Sequence, residues 1–103
     1  MNELETALAA TELKFAHFGW SKAPKGDYGV YAEDGANDLI AGSVHAERVI
    51  EGTVDYFTRD ATLAAKAVIE AALNSCAAWY LNSIQFEDDS GYIHLEWVFQ
   101  VMG

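Results

Sequence analysis

Residues 44–59, Val-His-Ala-Glu-Arg-Val-Ile-Glu-Gly-Thr-Val-Asp-Tyr-Phe-Thr-Arg, decide the fold class. Ala46, Ile50, Val54 and Tyr56 fall on one side of a two-residue period. His45, Glu47, Glu51, Thr53 and Asp55 fall on the other. That alternation predicts a long strand with one covered and one polar face. Gly52 interrupts it, which predicts a bulge, sheet curvature or a close backbone approach. Asp60 follows as a plausible N-cap, so a helix is expected to start there and reach Ser75 or Cys76. Its apolar stripe is Ala64, Ala65, Val68, Ile69, Ala72, Leu73 and Cys76.

Working outward, residues 2–18 read as a first helix. Asn2 and Glu5 have capping-box spacing, Leu4, Leu8, Thr11, Phe15 and Phe18 form a stripe, and Gly19 supplies a stop. Residues 20–27 read as a connector, with an extra strand possible near Trp20. Tyr28–Glu33 reads as a short strand with Tyr28, Val30 and Ala32 on one face. Residues 34–43 read as a loop from their Gly, Asn and Asp content. Residues 79–87 and 92–101 read as two strands around the turn Asp88-Asp89-Ser90-Gly91. The expected fold is α+β, with two helices packed on one face of a mainly antiparallel sheet of four to five strands. Ile50, Val54, Ile69, Leu73, Ile93, Leu95 and Trp97 are the expected core.

The chain has 103 residues, which suits a single domain spanning 1–103. Half its residues are hydrophobic, enough for a core without disulfide or metal. Cys76 is the single cysteine, so no internal disulfide is expected. No apolar run approaches the roughly 20 residues of a membrane span. The start, Met-Asn-Glu-Leu-Glu, lacks the pattern of a signal peptide, so a cytoplasmic protein is expected. Net charge is −10, and no Lys or Arg follows Lys66. Binding through nucleic-acid phosphates needs a basic stripe, which the sequence lacks.

A catalytic signature is missing as well. His17, His45 and His94 do not form metal-ligand spacing with cysteine or carboxylate, and no metal or cofactor is expected. Cys76 sits on an apolar helix face without a base in its neighbourhood, which suits an inert buried thiol. Glu87, Asp88 and Asp89 lack calcium-loop spacing and suit a solvated turn.

With the elements in this order, the chain resembles the small tail-completion or tail-terminator proteins of long-tailed phages and prophages, a head–tail joining family. The resemblance is carried by Ala23-Pro24 leading through Gly26-Asp27-Tyr28-Gly29-Val30-Tyr31, by His45-Ala46-Glu47, and by Gly52-Thr53-Val54-Asp55-Tyr56-Phe57-Thr58. It covers nearly the whole chain as a pattern. It implies a tail-terminator-like fold and a structural, non-enzymatic virion assembly protein. Such a protein forms a homo-oligomeric ring, usually a hexamer, that caps the tail tube. The implied partners are the tail tube protein and the head–tail connector protein, with DNA only as passing cargo and no membrane. The implied location is the virion, and the cytoplasm of the bacterial host during assembly. The family has no catalytic residues to carry over.

A ring needs an interface that closes on itself. Trp20, Tyr28, Tyr31, Tyr80, Tyr92 and Trp97 are more aromatics than one small core takes in easily, and such residues are enriched at interfaces. Trp20, Tyr28, Tyr31 and Tyr92 are therefore candidate subunit-interface residues, together with Leu39 and Ile40 in the expected loop. Two other classes stay open. One is a small ligand-binding or regulatory α+β domain of bacterial origin, with a pocket between helix and sheet. The other is a small enzyme using His45 or His94 with nearby carboxylates.

Overall fold

The computed structural model describes residues 2–38 and 48–102; the side chains of residues 2, 34–38 and 48 fall outside that description. Seven elements follow in order: α1 (Asn2–Ala10), β1 (Phe15–His17), β2 (Tyr28–Asp38), β3 (Arg48–Thr58), α2 (Ala64–Asn74), β4 (Ala78–Phe86) and β5 (Ile93–Met102). The strands form one open sheet in the order β1-β2-β3-β5-β4. Only the β1–β2 pairing is parallel, and the other three are antiparallel. Two helices and a five-stranded, mostly antiparallel sheet make this an α+β fold.

Both helices lie on the same face. Leu4 and Leu8 of α1 and Ile69 and Leu73 of α2 join Tyr31, Val54, Tyr56, Leu95, Trp97, Phe99 and Val101 in one buried cluster. Those strand residues share a face, because Tyr31 pairs with Val54 and Val54 with Trp97. Of the expected core, Val54, Ile69, Leu73, Leu95 and Trp97 are fully buried, whereas Ile50 and Ile93 pack against its rim. The indole N–H of Trp97 donates to Glu70 at 3.0 Å, so the largest core ring leaves no orphaned donor.

The expected first helix, 2–18, is corrected. It ends at Ala10, and Phe15 lies in a strand instead of on a helical stripe. The Thr11 hydroxyl donates to the Leu8 carbonyl and accepts the Leu13 N–H, while Glu12 turns left-handed at φ 63°. These local bonds substitute for helix continuation. Gly19 is therefore no helix stop, and the additional strand is Phe15–His17 instead of a segment near Trp20. The capping contact expected of Asn2 lies outside the described residues.

The second correction concerns 34–43. Residues 34–38 continue β2, with a register shift between Glu33 and Gly35 that absorbs Asp34 as a bulge. The remainder of that expected loop, together with His45, Ala46 and Glu47, lies outside the described residues. Gly52 sits opposite this bulge. A Cβ there would strike the Ala32 carbonyl oxygen, the Phe99 ring at 2.7 Å and Glu33 Cα at 2.8 Å. A close backbone approach is why only glycine fits.

The third correction is the start of α2. Asp60 is not at its N-cap position, although its carboxylate also reaches the Ala64 backbone. Its carboxylate accepts the N–H and hydroxyl of Thr62, making an Asx turn, and the helix begins four residues later at Ala64. Leu63 occupies the N-cap position in left-handed conformation, without a side-chain cap. The β4–β5 hairpin falls close to its expected bounds, with Gly91 at φ 75° in its turn.

Candidate interaction surface

The sheet leaves three surfaces uncovered by the helices: its far face and its two edges. Register fixes the far face. Tyr28, Phe57, His94 and Gln85 form one cross-strand row over β2, β3, β5 and β4. Three of them stack in series, Tyr28 on Phe57 at 4.8 Å and Phe57 on His94 at 4.3 Å. Tyr92 meets Tyr28 and Phe57 edge-on, and the Arg59 guanidinium lies 4.3 Å over the Tyr92 ring. Glu51, Asp55 and Glu96 lie on this face, with the Arg59 guanidinium at its Tyr92 end.

His94 is the chemically richest group here. Its Nε2 lies 2.7 Å from Asp55 Oδ1 and its Nδ1 lies 3.7 Å from Glu87. Burial holds the Asp55 carboxyl above the ordinary aspartate range, against the lowering effect of His94. A general base needs a free ring nitrogen beside a nucleophile. Both nitrogens of His94 face carboxylates, and Thr53 bonds to Asp55 instead of to the imidazole. The arrangement suits a held polar contact better than proton transfer. Among the described residues, His, Cys, Asp and Glu form no cluster able to hold a metal.

The β4 edge is the second surface. Among the described residues β4 pairs only with β5, so its outer backbone groups are unmatched. Its sequence, Ala-Trp-Tyr-Leu-Asn-Ser-Ile-Gln-Phe, contains no charge and no proline. Tyr80 is 57 % exposed, Ile84 46 % and Phe86 65 %. Natural edge strands are ordinarily kept from pairing by lysine, proline, shortness or strong bulges. This one has nine residues and one register shift, between Leu81 and Ser83. Beside it lies an open hollow of ≈ 390 Å³ lined by Ala78, Tyr80, Val98 and Gln100.

The third surface is the β1 edge. Phe18 follows β1 at φ 67°, its N–H donating to the Tyr31 carbonyl at 2.8 Å. Left-handed backbone at a bulky residue costs on the order of 1–3 kcal/mol. The Phe18 ring is nevertheless 66 % exposed. It stacks on His17 at 4.2 Å, which stacks on Tyr31 at 4.9 Å and contacts Glu33 at 2.7 Å. The ring is thus braced from behind and open in front.

Of the six residues expected at an interface, four are described: Tyr28 and Tyr92 touch, Trp20 reaches the backbone beside Tyr28, and Tyr31 lies apart in the core. Trp20 is half-buried, its indole donating to the Gly29 carbonyl at 2.9 Å. Tyr28 is half-buried in the far-face row. Tyr31 and Tyr92 are each only 9 % exposed, the first in the core and the second bonded to the Gly26 carbonyl, which leaves little of either ring for a partner. Leu39 and Ile40 lie outside the described residues. The large exposed groups are others: Phe18, Val68, Ile84, Phe86 and Met102, with Tyr80 among the aromatics already noted in the sequence. The exposure of Tyr80, Ile84 and Phe86 follows from β4 being outermost, and periodicity carries no signal for that.

Comparison of the sequence with models of known protein families matches none of them, and comparison with curated proteins finds no match. No described helix is long and apolar enough to cross a membrane.

Proposed function

We propose that this chain is a structural subunit of a long-tailed phage or prophage virion, a tail terminator or head–tail joining component that forms a ring on the end of the tail tube and turns over no substrate. The observation that carries the assembly part is the β4 edge: nine uncharged residues with unmatched backbone groups and three large exposed apolar side chains. Such an edge is a template for another chain. The phage assignment itself rests on the sequence resemblance. The acidic far face supports it, because fixed positive charge on a channel wall would retain phosphates and slow DNA passage.

The ligand-binding alternative needs a pocket between helix and sheet. Trp97, Phe99, Leu4, Leu8, Ile69 and Leu73 fill that layer, each at or below 1 % exposure. The hollow of ≈ 560 Å³ beside Glu3, Ala7, Ala10 and Cys76 lies outside it, along the length of α1 and past the C-terminal end of α2. The test is electron microscopy of particles produced with the gene deleted. Unjoined heads and tails of uncontrolled length are expected. Normal joined particles with normal tails would reject the role and favour the ligand-binding alternative.

A further inference from the structure

We infer that the β4 edge receives the β1 edge of a second copy of this chain, with Phe18 as the inserted anchor. This rests on the assembly role proposed above and specifies its contact. Sheet order puts β1 and β4 on opposite edges, so the two surfaces cannot meet within one subunit. One offers a protruding ring, the other the exposed pair Ile84 and Phe86 on the helix side of β4, with Tyr80 on its opposite face. Exposed aromatic anchors entering apolar strips are the usual core of a contact.

Charge selects the same pairing. Residues 13–26 contain Lys14, Lys22 and Lys25 and no carboxylate, whereas β4 runs into Glu87, Asp88 and Asp89. The three lysines are exposed and, among the described residues, in no ion pair; the same holds for Asp88 and Asp89. Lys14, which immediately precedes β1, therefore faces the acidic turn that follows β4 when copies are set head to tail. Strand direction agrees. The sheet runs β1 and β2 one way, β3 the other, β5 back, and β4 opposite to β1. A copy rotated about an axis along the strands would present β1 antiparallel to β4, the more stable ladder. A β4-to-β4 contact would close at two subunits and leave Phe18 and the lysines unused, whereas the head-to-tail contact is the kind that generates rings.

The test uses two full-length variants that disable one edge each: Phe18→Ser and Ile84→Lys. Both positions are exposed, and circular dichroism checks that each variant folds. Light scattering of the wild type over rising concentration should show oligomers that weaken with added salt. Each variant alone should need at least about tenfold more protein to associate. An equimolar mixture should form a dimer and stop there, since one intact knob meets one intact edge. A second pair, Lys14→Glu against Asp88→Lys with Asp89→Lys, should be weak alone and associate beyond dimers when mixed, because an alternating assembly restores opposite charge at every contact. Oligomers of Phe18→Ser that match the wild type, or a mixture that stays monomeric, overturn the contact. So does a wild type that is monomeric at the highest soluble concentration. A ring that survives both substitutions overturns the contact but leaves the assembly role standing. That role falls only with the gene-deletion particles.

Discussion

Gly52 shows how one residue governs the sheet. The space for its Cβ is taken by backbone of β2, which cannot swing aside as a side chain can. Gly52→Ala should lower stability by about 1–3 kcal/mol, the range of overpacked sites, read as a lower urea midpoint at unchanged slope. An unchanged midpoint would show that β2 can yield. Asp55 supplies a pH signature. Its carboxyl is held above the ordinary aspartate value of 3.8, chiefly by burial. A raised acid binds its proton more tightly in the folded chain, so the contribution is most favourable below the unfolded value. It is lost as pH rises through the folded value. Asp55→Asn should remove that loss. Urea midpoints from pH 3.5 upward, wild type minus variant, should decline with rising pH; a flat or rising difference would contradict the assignment.

At the scale of elements, β5 is the strand to attack. It pairs on both sides and supplies Leu95, Trp97, Phe99 and Val101 to the core. Leu95→Ala should cost roughly 2–5 kcal/mol, measured by chemical denaturation. Hydrogen exchange should grade the sheet from its centre outward: amides of β3 and β5 protected most, those of β4 facing outward least. Strong protection along the outer edge of β4 in a monomer would mean that something already covers it. The elements also show what sequence carries. The alternation in 48–58 and 93–102 is dictated by burial of one face, so it was visible. The β4–β5 turn was visible because Gly91 answers a local backbone demand. The stripe Leu4, Leu8, Thr11, Phe15, Phe18 misled, because a helical spacing continues across a break that Thr11 and Glu12 make with short-range bonds. Nothing local marks Phe15–His17 as a strand, since its partner Gly29–Tyr31 lies beyond a connector and in parallel register. Asp60 offers the same side-chain chemistry to an Asx turn as to a helix cap, and the turn takes it. The exposed groups at the edges were the least legible, because alternation in β4 reads alike at an edge or a centre.

For the molecule as a whole, the layout is one-sided: both helices on one face, acidic groups on the other, and unlike edges. A head-to-tail assembly of such units would turn one face uniformly inward and the other uniformly outward. Light scattering with electron microscopy should then find closed rings and no open filaments; filaments would mean that the rotation between neighbours fails to close. The bare β4 strand also sets the fate of a subunit that has not yet met its partners. Stretches of seven or more residues free of charge and proline are the raw material of cross-β aggregation, and the nine residues Ala78–Phe86 are such a stretch. A freshly made chain is therefore in a race. On the proposed assembly role, it must reach its partners before it meets too many idle copies, and excess synthesis would be lost to inclusion bodies.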